Sequence, residues 1–138
     1  ALPVFIWDMT KHNKCAPPMR TTKRGLWGEG LAAKYLQSSG YTIVERNWRW
    51  RKLEVDLIAR LHHDWVFIEV KTRKKGYLAS ALEAVNLHKQ QRIIEASHHF
   101  IRGLSQPPMS IRYDIICVEF DTVGSRIQHI PDAFISLP

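Results

Sequence analysis

The chain has 138 residues, 45% hydrophobic and 24% charged, the make-up of one soluble globular domain. Lys and Arg number 20 against 13 Asp and Glu, and the net charge of +7 favours polyanionic partners, nucleic acid above all. No apolar run approaches the ~20 residues of a membrane span, and Ala1 to Trp7 holds Pro3 and lacks a basic flank, so it makes a poor secretion signal. Cys15 and Cys117 lie far apart and form no metal-type cluster, which points to a reduced, cytoplasmic setting with no membrane.

Residues 1–24 read as a basic, mostly irregular arm. Lys11, Lys14, Arg20, Lys23 and Arg24 face a single acid, Asp8, and Pro17-Pro18 interrupts any regular element. Its apolar start can pack on the core or on a neighbouring subunit. The domain proper spans 25–138 and opens with a helix from about Leu26 to Ser38, whose apolar face is Leu31, Ala32, Tyr35 and Leu36, with Gly40 as its stop. At ~100° per residue Glu29 falls roughly 20° from Leu36, on the edge of that face. It either points along the sheet or stands solvated in the first turn, where the helix dipole favours it.

A strand follows from Tyr41 to about Arg49, with Tyr41, Ile43 and Glu45 on one face and Thr42 and Val44 on the other. It runs into the cluster Arg46-Asn47-Trp48-Arg49-Trp50-Arg51-Lys52. Arginines interleaved with tryptophans suit a phosphate backbone and splayed bases. They suit cation–π packing at a sheet edge equally well.

The stretch Lys52 to Arg73 reads as two strands, about Glu54–Arg60 and Trp65–Thr72, joined by the polar turn Leu61-His62-His63-Asp64. Alternation puts Glu54 and Asp56 on one face of the first strand, and Val55, Leu57 and Ala59 on the other. In the second strand Glu69 and Lys71 share a face with Phe67, opposite Val66, Ile68 and Val70. If the hairpin pairs, two carboxylates and an ammonium meet at one spot, an unusual thing to place inside a small domain.

Lys74-Lys75-Gly76 continues the positive charge, and a helical region runs from about Ser80 to Arg102 with the stripe Leu82, Val85, Ile93, Ala96 and Phe100. Lys89 falls in the middle of this stripe. It either finds the hairpin acids as partners or snorkels past the helix edge. Asn86 is a candidate cap that would divide the region, and Gln90 and Arg92 follow on neighbouring faces. After the Pro107-Pro108 loop, Ile111–Phe120 is a strand in which Asp114 is expected to pair with Arg112 or serve a turn. Arg126–Ile130 reads as a short last strand and Pro131–Phe134 as a terminal turn. The order is α-β-β-β-α-β, a mixed sheet flanked by helices.

His62-His63 and His98-His99 are adjacent pairs without the i, i+4 spacing of a zinc helix, and no CxxC accompanies them. Neither a glycine-rich phosphate loop nor a GxSxG elbow is present, so nucleotide and serine hydrolysis have no footing.

Six runs in order, GEGLAAKYLQSSGYTIVERNWR, LEVDLIAR, FIEVKTR, HKQQR, RYDIICV and IQHIPDAF, resemble the YraN family of predicted endonucleases. That family falls in the restriction-endonuclease-like superfamily with the PD-(D/E)xK motif and is similar to archaeal Holliday-junction resolvases. The resemblance spans about Gly25 to Phe134 and implies a restriction-endonuclease-like α/β core. It implies Asp56 and Glu69 as metal-binding acids, with Val70 and Glu29 in the metal set, and Mg²⁺ or Mn²⁺ as the cofactor. Lys71 becomes the catalytic lysine, Glu29 the helix-borne acid, and Lys89 a further member of the site. Leu53 departs from the family, which usually has glycine before the first hairpin acid.

The implied function is metal-dependent hydrolysis of DNA phosphodiesters, with branched DNA as one substrate form and a homodimer as the arrangement that would suit a two-strand cut. Candidate nucleic-acid contacts are Arg46, Arg49, Arg51, Lys52, Arg73, Lys74, Lys75 and Gln90. A hard cation held by carboxylate oxygens lowers the pKa of a bound water and neutralises charge on the phosphate. Two other readings stand beside it: a nucleic-acid-binding module on the same fold without turnover, and a protein-interaction factor whose basic arm recruits an acidic partner.

Overall fold

The fold is taken from a computed structural model of the chain, which describes residues 5–8 and 21–136, with side chains from residue 23 onward. Six strands and three helices follow in the order β1 (Phe5–Asp8), α1 (Thr21–Ser38), β2 (Thr42–Trp50), β3 (Leu53–Leu61), β4 (Asp64–Lys74), α2 (Leu78–Ala84), α3 (Leu87–Arg102), β5 (Ser110–Phe120) and β6 (Ser125–Phe134). They form one mixed sheet in the spatial order β1-β6-β5-β4-β3-β2. Only β4 and β5 run parallel, because α2 and α3 carry the chain back across one face between them.

Each sheet face buries its own cluster. Val66, Ile68 and Val70 of β4 join Leu31, Ala32, Tyr35 and Leu36 of α1. On the other face Phe67 joins Val85 and the α3 residues Ile93 and Ala96, with Phe100 packed against them. The alternation of β4 therefore survives intact. Asn86 does divide the second helical region: its side chain accepts the Lys89 N–H as an N-cap. Gly40 ends α1 at φ +91, a left-handed stop.

The order departs from α-β-β-β-α-β at both ends. Phe5–Asp8, inside the segment expected to be mostly irregular, pairs antiparallel with β6; the rest of the arm up to residue 20 lies outside the described residues. Pro131–Phe134 is not a turn. Strand β6 continues through it, because a register shift opposite Tyr113/Ile115 takes up the proline, Asp132 adopts φ +52, and Phe134 stacks on Tyr113 at 5.2 Å. No helix among the described residues is long and apolar enough to cross a membrane.

A buried polar network ties α1 to the far half of the sheet. The Tyr35 hydroxyl meets His129 Nδ1 at 2.8 Å, and His129 Nε2 meets Asp114 at 2.7 Å. Arg112 donates twice to Asp114 and once to the Tyr41 hydroxyl. Asp114 thus pairs with Arg112 as expected and serves structure rather than the hairpin acids.

Candidate functional site

The β3–β4 hairpin closes on a two-residue turn, with Leu61 opposite Asp64 and His62 at φ +55. The two strands pair only as far as Leu57 and Ile68. Beyond that point β3 continues paired to β2 alone, and β4 to β5 alone, up to Lys74. Asp56 and Glu69 occupy the first positions past the last pair, at the crotch of the fork. There the Asp56 side chain replaces the missing ladder partner: its Oδ2 accepts the Val70 N–H at 2.9 Å.

The fork also changes the faces of β3. Leu57 and Ala59 pack with α1, but Val55 packs with Leu53 and Ile58 on the α3 side. The expected face of Val55, Leu57 and Ala59 therefore breaks at Val55, where β3 leaves β4. Opposite Asp56, Asn47 of β2 adopts φ +49. Glu54 pairs with Arg49 of β2 at 3.5 Å, and its charge also bears on Glu29.

Glu69 is 3% exposed, and its Oε1 receives Lys71 Nζ at 3.2 Å and Lys89 Nζ at 3.5 Å. Lys89 thus reaches the hairpin acids from α3 instead of snorkelling to solvent. From the opposite layer comes Glu29. Its Oε2 is buried without a hydrogen-bond partner among the described residues. Burial raises the Glu29 pKa, with further pressure from Glu54 and Glu69, while a hydrogen bond with Asn47 works against the rise. Asp56 is pushed up to about 8, first by burial and then by the Glu69 charge, with the Val70 N–H opposing. The first helix thus directs its glutamate towards the fork, the alternative to a solvated first-turn residue. Among the described residues no group of three or more His, Cys, Asp or Glu is arranged to hold a metal ion by itself.

Gly28 sets how closely α1 approaches. A Cβ there would stand 2.0 Å from Thr72 Oγ1, so only glycine lets the helix lie on β4 beside Lys71. Alternation and helical spacing assign no role to Gly28 or Asn47; three glycines within one helix, Gly25, Gly28 and Gly30, are the available signal for the first.

The proposed polyanion contacts divide. Arg46, Arg49, Arg51, Lys52, Lys74 and Lys75 are exposed, and Arg73 is half-buried. Arg49 pairs with Glu54 at 3.5 Å, Lys75 lies 4.0 Å from Asp121, and Arg51 covers Trp50. Trp48 meets Phe100 edge-on and Trp50 stacks on His99 at 3.5 Å, so both tryptophans pack on α3. Gln90 donates to the Val85 carbonyl and closes the α2–α3 corner.

A family model, described as the uncharacterised protein family UPF0102, matches residues 28–118. The chain belongs to UPF0102. That is the family the sequence resemblance named, and the UPF0102 match runs from Gly28 through Glu29, Asp56, Glu69, Lys71 and Lys89 to Val118 in β5. UPF0102 proteins similar to this chain include one from Porphyromonas gingivalis, 38% identical over 113 residues, covering 80% of this chain and 83% of the relative. One from Chlorobium chlorochromatii is 40% identical over 124 residues (86% and 95% covered), and one from Geobacter metallireducens 37% over 126 residues (91% and 97%). The UPF0102 match therefore spans the fork, α1 from Gly28 onward, α2, α3 and the sheet from β2 through most of β5.

Proposed function

We propose that this chain is a metal-dependent nuclease hydrolysing DNA phosphodiesters on a restriction-endonuclease-like fold. One observation carries the reading: two carboxylates and two lysines from three separate elements converge where the paired strands part. Such a convergence opposes folding through charge burial, and groups gathered at that cost mark a functional site.

The residues fit a hard divalent cation. Carboxylate oxygens are its preferred donors, a cation would offset the burial and the Glu69 charge that drive a proton onto Asp56, and Glu29 Oε2 is a buried acceptor with no donor among the described residues. Asp56 and Glu69 would hold the ion, with the Val70 main chain and Glu29 beside them. A bound Mg²⁺ or Mn²⁺ supplies an acidified water and neutralises phosphate charge.

The chain's own groups do the rest. The Val70 N–H fixes the Asp56 carboxylate, Lys89 holds Glu69, and Lys71 faces the charge that builds on the phosphate. Exposed Arg46, Lys52 and Lys74 hold the backbone of the substrate through long-range attraction. A cytoplasmic location and a homodimer cutting two strands accompany this reading.

A binding module without turnover draws on a different observation. Lys71 and Lys89 already neutralise Glu69 with no cation. Incubation of the purified chain with plasmid and linear DNA and Mg²⁺ or Mn²⁺ decides between the two. Nicking or cutting that Asp56→Asn abolishes, with the fold retained, supports the nuclease. Salt-sensitive retention of DNA with no cleavage under either metal favours the binding module.

A further inference from the structure

A cleft of about 420 Å³ opens directly beside the fork, between the start of α1 and the end of β4. Its walls carry Arg24, Lys71, Arg73, Lys74 and Tyr77, and among the described residues no acid lines it. Arg24 lies 4.7 Å over the Phe120 ring, and its buried Nε donates to nothing among the described residues. Packing on Phe120 therefore holds this cation in place, and among the described residues no ion pair takes up its charge.

Tyr77 is 57% exposed, yet the loop bearing it is fixed. Lys75 N donates to the Phe120 carbonyl, Gly76 N to Glu119 Oε2 and Tyr77 N to the Lys74 carbonyl, at 2.8, 3.0 and 3.1 Å. An exposed ring on a hydrogen-bonded loop among four cations is the pairing that binds a phosphate and a free base face together. The volume lies near the low end of the roughly 300–1,000 Å³ of small-ligand pockets, room for a monomer-sized piece of chain. A base still paired and stacked in a duplex cannot enter such a slot. Lys71 lines the cleft and also touches Glu69, so a phosphate at the acids and a nucleotide in the cleft are neighbours along one strand.

We infer that this cleft seats one unstacked nucleotide, so that the strand presented to the fork is single-stranded on one side of the reacting phosphate. The inference deepens the nuclease reading and rests on it for the position of that phosphate.

The test is equilibrium binding by the full chain in EDTA, where no cleavage intervenes. The probes are a short fluorescein-labelled oligothymidine, a blunt duplex, and the same duplex with a single-stranded flap. The wild type should hold the oligothymidine and the flapped duplex more tightly than the blunt duplex. Tyr77→Ala should weaken those two about tenfold, the scale of one lost base–aromatic stack, and leave the blunt duplex unchanged, while Tyr77→Phe retains them. Arg73→Ala should lower single-strand retention and flatten its salt dependence. A flap preference over oligothymidine assigns the source to branched DNA, and equal affinity to free single strands; either supports the seat. Blunt duplex bound as tightly as the others, or a folded Tyr77→Ala that binds like wild type, overturns it. No cleavage with Mg²⁺ or Mn²⁺ while Tyr77-dependent retention persists sinks the nuclease reading and leaves the seat standing.

Discussion

Asp56 Oδ2 accepts the main-chain N–H of Val70 at 2.9 Å, and Val70 is the residue between Glu69 and Lys71. One hydrogen bond thus joins the acid of one strand to the acid-x-lysine triplet of the other, at the point where their ladder ends. Removing charge from Asp56 and removing its hydrogen bond are separable operations, since an asparagine oxygen still accepts from Val70.

That separation gives a pH prediction. Asp56 has its pKa pushed up to about 8 from the ordinary 3.8, so across that interval the folded state holds a proton that the unfolded chain has released. Stability of the metal-free protein should then decline as pH rises from about 4 to about 8. Asp56→Asn should flatten the decline. Thermal melts in EDTA at a series of pH values measure it, and equal slopes for the two proteins would refute the assignment to Asp56.

The two lysines should not be equivalent. Lys71 Nζ stands at 3.2 Å from Glu69 Oε1 and Lys89 Nζ at 3.5 Å, from a separate helix. Lys71→Met should lower kcat by roughly 100-fold or more, the scale of removing one charge stabiliser from a transition state. Lys89→Met should act through Glu69 and cost less. Single-turnover cleavage rates compare them; a larger loss from Lys89→Met would reverse their roles.

Gly28 offers a test independent of activity. A methyl there meets Thr72 Oγ1 at 2.0 Å, so Gly28→Ala should destabilise by about 1–3 kcal/mol, the range of core overpacking. Thr72→Ala in the same chain removes the oxygen and should recover part of the loss. Urea melts of the two single variants and the double variant read the coupling.

At the far side of the sheet, Asp114 is held below the usual carboxylate range. Burial opposes its charge, but hydrogen bonds from His129 and Arg112 outweigh that. Its contribution is complete above the ordinary value of 3.8 and is lost as pH falls through the lower folded value. His129→Ala leaves the buried Asp114 carboxylate to Arg112 and the Asp132 N–H and should cost about 1–3 kcal/mol, the range for one lost buried hydrogen-bond partner. It should also move acid unfolding to higher pH. Denaturation followed by far-UV circular dichroism shows both effects.

Legibility in the sequence followed the regularity of the elements. β4 alternates without a break, so the shared face of Glu69 and Lys71 could be read directly, as could the helical stripe that brings Lys89 inward. The face of Val55 could not, because it depends on β3 parting from β4, and a two-residue period carries no mark of where pairing stops. His129 was missed for a related reason. Its partners Tyr35 and Asp114 lie 94 and 15 residues away, a separation that no local pattern encodes. The continuation of β6 past Pro131 stayed hidden because proline ordinarily ends a strand, and the register shift that accommodates it involves β5.

The hairpin also works as a ruler. Five successive pairs from Leu61 and Asp64 to Leu57 and Ile68 measure out equal arms, which is what brings the two acids level. The His62–His63 turn sets its zero, because the turn and its length fix where a hairpin begins to pair. One extra residue inside either arm slips the gauge and leaves the acids out of step.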